Sequence, residues 1–282
     1  MSVQSVFVVG AGTMGHGIAQ VCAAAGLSVK IADRTKDLTD KGVARIAKGV
    51  ERLVQKDKMT AADKDALLGR ITPAPDLSGV ADVDLVIEAV FEDLDVKTAV
   101  FAELGKYAKP ETILATNTSS LSITKLATTV DRPERVIGMH FFNPVPVMKL
   151  IEVIRALQTD DATYQVIHDL SIQLGKSPVE IKDSPGFAAN RVLMMLINEA
   201  IFCVYENIGT PEAIDTVMKL GMNHPMGPLA LADLVGLDVC LAVMQRLYSG
   251  FSDSKFRPCP LLISMVEAGR LGRKTGRGFY EY

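Results

Sequence analysis

A chain of 282 residues, 48% apolar and 22% charged, can bury the core of one large domain or two ordinary ones. Its net charge of −3, spread without a run of like charges, argues against nucleic acid or an anionic membrane surface as the main partner. No apolar stretch reaches the ~18 residues of a membrane span, and the N-terminal MSVQSVFVVGAG, lacking a basic head, does not read as a signal peptide.

The run SVFVVG (5–10) reads as a first strand, followed by a glycine turn and a helical pattern over 13–25. LSVKIAD (27–33) is the second strand. The pattern over 36–68 is too long for one crossover and breaks at Met59–Ala62, with Thr60 as an N-cap, so a helical hairpin is expected there. Further strands are predicted at 83–90, 112–117, 135–141, 148–154 and 177–183, with helices at 95–107 and 160–174. These strands are rich in β-branched residues and mostly bounded by Gly, Asp, Asn or Pro. The alternation implies a mostly parallel sheet with helices on both faces.

After KDSPGF (182–187) the strand signals stop, and helices are predicted at 187–206, 211–220, 228–249 and 259–269. The expected fold class is therefore α/β. A Rossmann-type, mostly parallel sheet domain spans 1–184, with its hairpin at about 36–68. An all-helical domain follows over 185–282. The run 187–206 is apolar on most faces, which places it centrally in its domain or against a second subunit.

VFVVGAGTMGHGIA sets Gly10, Gly12 and Gly15 in GxGxxG spacing between a strand and a helix, the context in which that pattern carries meaning. The phosphates of a dinucleotide would sit at the helix N-terminus. Asp33 ends the second strand, where a carboxylate accepts from a ribose and repels a 2′-phosphate, favouring NAD over NADP. Arg34, next to it, softens that preference. The stretch Ala115-Thr116-Asn117-Thr118-Ser119-Ser120 sets a cluster of small polar side chains at the end of the strand predicted at 112–117. It can hold a nicotinamide or a substrate oxygen, or cap a short helix.

In VIGMHFFNPVPVMKLIEVI, His140 ends one strand and Glu152 lies inside the next. Such a pair can act as an acid–base couple, the carboxylate fixing the tautomer and stabilising the imidazolium. It can also be a packed core pair. Asn190, early in the first C-terminal helix, can face a cleft or serve the helix end. Lys48, Arg52 and Lys56 recur every four residues and form a basic face, solvated or turned to the phosphates of a large anion. The four cysteines (Cys22, Cys203, Cys240, Cys259) form no CxxC pair, which suggests a reducing, cytoplasmic setting. The four histidines include no HExxH motif, so no metal is expected. GRLGRKTGRGFYEY reads as a terminus that is mobile or anchored by its aromatics.

GAGTMG, NTSSL, HFFNPVPVMKLIEVI, KDSPGFAANR, LGMNHPMGPLALADLVGLD and GRKTGRGFYEY occur in that order. Over essentially its full length the chain resembles the L-3-hydroxyacyl-CoA dehydrogenases. The resemblance implies an NAD-dependent oxidoreductase interconverting a short-chain (S)-3-hydroxyacyl-CoA and the 3-ketoacyl-CoA. It implies His140 as general base and Glu152 as its partner, with Ser119 and Asn190 holding the substrate's oxygens. It carries the dinucleotide contacts to the Gly10–Gly15 turn with Thr13 and Met14, and to Asp33, Glu92, Lys97, Asn117, Ser119, Asn143 and the pair Arg273-Lys274. A CoA contact falls to Lys56, and the basic face it shares with Lys48 and Arg52 can add to the anchoring. It also implies a homodimer built through the helical domain. Two alternatives stand beside this: a related dehydrogenase of a free hydroxy acid, and a non-catalytic dinucleotide-binding protein on the same fold.

Overall fold

Among residues 2–282, which the computed structural model describes, eight strands form one sheet and lie wholly before residue 184. They are β1 (Ser5–Val9), β2 (Ser28–Ala32), β3 (Ile71–Pro73), β4 (Leu85–Glu88), β5 (Ile113–Thr116), β6 (Val136–Phe141), β7 (Leu150–Arg155) and β8 (Ser177–Lys182). Their order is β3-β2-β1-β4-β5-β6-β7-β8. The first six are parallel; β7 runs antiparallel to β6, and β8 parallel to β7. Every position of β4, β5 and β6 is buried, as expected for strands covered on both faces.

The covering helices are α1 (Thr13–Ala24), α2 (Lys36–Val54), α3 (Ala61–Gly69), α4 (Leu94–Tyr107), α5 (Ile123–Ala127) and α6 (Asp161–Gln173). Their starts follow from short polar side chains. Thr35, Thr60, Asp93, Ser122 and Asp160 each accept from a backbone N–H in the first turn. The predicted hairpin is present as α2 and α3. Lys56, the last residue of the predicted basic face, lies past the end of α2: Asp57 takes a left-handed φ of 54° and Lys58 N donates back to Leu53 O. The three-residue edge strand β3 was not predicted. It is too short to show a period, and only Ile71 in it is buried.

The chain divides after Asp183 into two units, the second being Ser184–Tyr282. The second unit is helical: α7 (Ala189–Tyr205), α8 (Pro211–Thr216) with a π-helical turn to Gly221, α9 (Pro228–Val235), α10 (Leu237–Phe251) and α11 (Pro260–Glu267). Proline opens α8, α9 and α11, where its missing N–H costs nothing. The first helix begins at Ala189 rather than 187, because Phe187 sits at φ 50°. The single helix predicted over 228–249 is two helices bent by 98°. Gly236, at φ 102°, makes the break with a backbone that other residues rarely adopt. Met194, Ile197, Ile201, Leu229, Met244 and Leu262 fill the core. Among the described residues, no single helix is long and apolar enough to cross a membrane.

The C-terminal segment is held by two buried aspartates. Asp233 accepts from the backbone N–H groups of Phe279 and Tyr280, each at 3.0 Å, and from the Tyr282 hydroxyl at 3.1 Å. Asp215 accepts from Leu229 N and Ala230 N at the start of α9 and from the Tyr280 hydroxyl. GFYEY is therefore an anchored end of the fold.

Candidate active site

The carboxyl ends of β1, β4, β5 and β6 carry most of the predicted site residues. At the end of β1, Gly10 adopts φ 100°, and a Cβ there would stand 2.6 Å from Ala89 O. A Cβ on Gly15 would stand 1.7 Å from Gly10 O, so this glycine lets α1 pack onto the turn. A Cβ on Gly12 would meet nothing within 4 Å. Gly12 is the N-cap of α1, with no side-chain cap and no acid in the first turn. Backbone N–H groups without a capping side chain, at the positive end of the helix dipole, fit an anionic group. His16 Nδ1 donates to Gly12 O at 2.6 Å and braces the turn. Thr13 is exposed and Met14 half-buried in the first turn of α1.

Asp33 at the end of β2 reaches the same turn. Its Oδ2 accepts from Ala11 N at 2.8 Å and its Oδ1 from Arg34 N at 2.7 Å. The buried Thr39 hydroxyl accepts from Asp33 N. Asp33 thus ties the glycine turn to the second strand through its carboxylate and to α2 through its backbone N–H.

Glu92, in the loop after β4, organises the polar cluster after β5. Its Oε1 accepts from the Thr118 hydroxyl at 2.6 Å, Ser119 N at 2.9 Å, and the Ser119 and Ser120 hydroxyls at 3.2 Å. Neither serine caps α5; Ser122 does. Below lies an ion pair absent from the predicted set in one of its members. Lys97 Nζ donates to Glu88 Oε1 at 2.6 Å, with side-chain exposures of 1% and 0%. Glu88 also accepts from Val90 N and from the Thr116 hydroxyl at 2.7 Å. Lys97 stands 3.4 Å from Glu92 Oε2 as well. Glu88 was legible in principle: an acid inside the apolar run LVIEAV is the same signal as Glu152 in its strand.

His140 and Glu152 are direct partners in the antiparallel β6–β7 register, so their side chains share one face of the sheet. His140 Nδ1 lies 2.8 Å from Glu152 Oε2, and both residues are buried. With the carboxylate ionised, Nδ1 carries the proton and the lone pair is on Nε2. The Phe142 ring packs on the imidazole, centroids 4.6 Å apart. Asn117 Oδ1 accepts from Phe141 N at 2.9 Å, tying the ends of β5 and β6. Lys176 Nζ donates to Val145 O at 2.6 Å and Met148 O at 2.7 Å, closing the corner between β6 and β7. Burial lowers the Lys176 pKa. The corner packs on α1 at Gly17, where a Cβ would stand 2.9 Å from Val145 Cβ.

Asn143 is exposed in that corner, and Lys48, Arg52 and Lys56 are exposed along α2 and its following turn. Asn190 stands in the first turn of α7, in the second unit. In that unit Lys274 donates to both oxygens of Asp238, at 2.5 and 2.6 Å, and the Arg273 guanidinium lies 5.1 Å from the Tyr282 ring centroid.

Six parallel strands in the order 3-2-1-4-5-6, with a glycine turn between the first strand and its helix, are the architecture of a dinucleotide-binding domain. The protein is of the class of NAD-dependent oxidoreductases built on that domain. Residues 5–184 match the family model "3-hydroxyacyl-CoA dehydrogenase, NAD binding domain", and 186–282 match "3-hydroxyacyl-CoA dehydrogenase, C-terminal domain". The chain belongs to the 3-hydroxyacyl-CoA dehydrogenase family. It is 52% identical over 282 residues to a probable 3-hydroxybutyryl-CoA dehydrogenase of Bacillus subtilis, covering 100% of this chain and 98% of that one. It is 52% identical over 280 residues to the 3-hydroxybutyryl-CoA dehydrogenase of Bradyrhizobium diazoefficiens, covering 99% and 96%. The crystal structure of (S)-3-hydroxybutyryl-CoA dehydrogenase from Ralstonia eutropha superposes with a TM-score of 0.98 at 52% identity, covering 100% of this chain and 99% of that one.

Proposed function

We propose that the protein interconverts short-chain (S)-3-hydroxyacyl-CoA, 3-hydroxybutyryl-CoA foremost, and the 3-ketoacyl-CoA, using NAD in preference to NADP. The observation that carries this is the 2.8 Å contact between His140 Nδ1 and Glu152 Oε2 at the carboxyl edge of the sheet that carries the glycine turn. Bound NAD supplies a hydride acceptor. In the oxidation direction, Nε2 of His140 takes the 3-hydroxyl proton while the hydrogen on C3 leaves as hydride. Glu152 stabilises the imidazolium that results. Ser119 positions the substrate's 3-oxygen. In the reverse direction His140 returns the proton. The Gly10–Gly15 turn, with Thr13 and Met14, receives the pyrophosphate. Asp33, with both oxygens already directed by backbone N–H groups, faces the ribose and disfavours a 2′-phosphate. Asn117 and Asn143 complete the cofactor contacts, and Lys48, Arg52 and Lys56 offer cations to the phosphates of CoA.

The partner reading is a homodimer. In the second unit Val192, Ile208, Leu220 and Met222 are 70%, 70%, 82% and 62% exposed, apolar side chains that a second copy of the chain can cover. Four unpaired thiols suit a cytoplasmic setting.

The test is oxidation of NADH and NADPH with acetoacetyl-CoA and with free acetoacetate. Turnover of acetoacetyl-CoA with NADH is expected. Equal rates with acetoacetate would move the assignment to a free hydroxy acid, and no turnover of either would point to a non-catalytic role. His140→Gln is expected to remove most of kcat with NADH affinity intact.

A further inference from the structure

We propose that the buried pair Glu88–Lys97, with Thr116, is a positioning device for Ser119 and that Lys97 acts through Glu92 rather than on the dinucleotide. This rests on the reading of Ser119 as a substrate-positioning residue.

The geometry forms two tiers. In the lower tier, Glu88 at the end of β4 accepts from Val90 N, Lys97 Nζ and Thr116 Oγ1, so β4, α4 and β5 are pinned at one carboxylate. In the upper tier, Glu92 collects Thr118, Ser119 and Ser120. Lys97 joins the two. Its ammonium has three N–H donors and three acceptors in reach: Glu88 Oε1 at 2.6 Å, Glu92 Oε2 at 3.4 Å and Val90 O at 3.4 Å. A lysine bonded to Glu88 and Val90 O and paired with Glu92, with a 1% exposed side chain, is directed into the protein rather than toward a ligand. Thr116 is a second link, because its hydroxyl accepts from Thr118 N at 3.2 Å while donating to Glu88. A buried ion pair adds little net stability over an apolar pair of the same size. What it supplies here is a fixed height and azimuth for the Glu92 carboxylate, and through it for the Ser119 hydroxyl.

The experiment is a double-mutant cycle on acetoacetyl-CoA reduction: Glu88→Gln and Thr116→Val, each alone and combined with Ser119→Ala. Thr116→Val keeps both charges and the side-chain shape, so it carries the test if Glu88→Gln fails to fold. NADH binding is read by fluorescence and folding by thermal melts. The expected result is a fall in kcat on the order of tenfold to a hundredfold for either single variant, as for a misplaced positioning group. NADH affinity and KM stay near wild type, and the fall vanishes in the Ser119→Ala background. A variant with lowered Tm but wild-type kcat would overturn the proposal. So would a loss that repeats in full on top of Ser119→Ala. If Ser119→Ala alone keeps wild-type kcat, the reading of Ser119 falls first and takes this proposal with it.

Discussion

His140 and Glu152 face each other across one rung of the β6–β7 ladder, with Nδ1 2.8 Å from Oε2 and both side chains buried. An antiparallel rung sets this distance through the backbone, and Lys176 closes the corner that joins the two strands. A carboxylate in this place selects the Nδ1–H tautomer. Glu152→Gln keeps an acceptor but removes the charge. The expected outcome is a kcat lower by about a hundredfold to ten-thousandfold, in the range of acid–base catalysis. Fluorescence titration with NADH should give an unchanged affinity. Wild-type turnover in this variant would reduce the pair to a packing contact.

Asp84 links stability to pH at the opposite edge of the same sheet. Its Oδ2 accepts from Gln4 N at 2.8 Å and from Ser5 N and the Ser5 hydroxyl at 2.9 Å. Burial opposes ionisation, but these hydrogen bonds outweigh it and hold the carboxyl below its usual 3.8. The unfolded chain therefore binds the proton more readily. The stabilisation is fully present above that usual value and is lost as pH falls through the lower, folded one. Asp84→Asn is expected to lower Tm at neutral pH, and the gap to wild type should close as pH drops below 3.8. A gap that persists unchanged at low pH would exclude the linkage.

Much of this was readable from residue order, and the parts that were not have physical reasons. The strand runs, the glycine turn and the His140–Glu152 pair each produce a local pattern, because both strands of the hairpin lie within one short stretch. The break at Gly236 was hidden because apolar residues continue on both sides of it. From the sequence, Lys97 is named only as a dinucleotide contact that the resemblance implies. Its burial depends on Glu88, a residue on a different element, and no period reports such a contact. The end of the chain was ambiguous for the same reason: its anchors, Asp215 and Asp233, lie far back in the sequence.

That anchoring makes its own prediction. Asp233 is 1% exposed, and a Cβ on Gly278 would stand 2.0 Å from its Oδ1, so the tail and the carboxylate leave no room between them. Asp233→Ala removes the acceptor for two backbone N–H groups and one hydroxyl. A loss on the order of 3 kcal/mol is expected from donors left without their charged partner. Denaturant unfolding measures it. Limited proteolysis should then cut the terminal residues, which resist in the wild type. Equal stability and equal protection would show that the tail is held by its aromatics alone.

Gly12 and Gly15 separate folding from binding within one turn. At Gly15 an added methyl group would lie 1.7 Å from Gly10 O, a backbone atom that cannot swing aside. Gly15→Ala must therefore push α1 away from the turn, and a loss of about 1–3 kcal/mol is expected. At Gly12 the same methyl group meets nothing within 4 Å. Gly12→Ala should leave Tm where it was, or raise it slightly by stiffening the unfolded chain. If the pyrophosphate lies against Gly12, this harmless methyl group stands where the ligand must approach, and NADH affinity should drop sharply. Melting curves with and without NADH read both effects: Gly12→Ala loses the shift that the cofactor confers, and Gly15→Ala starts from a lower melting point. A Gly12→Ala variant with full cofactor-induced stabilisation would move the phosphates off this turn.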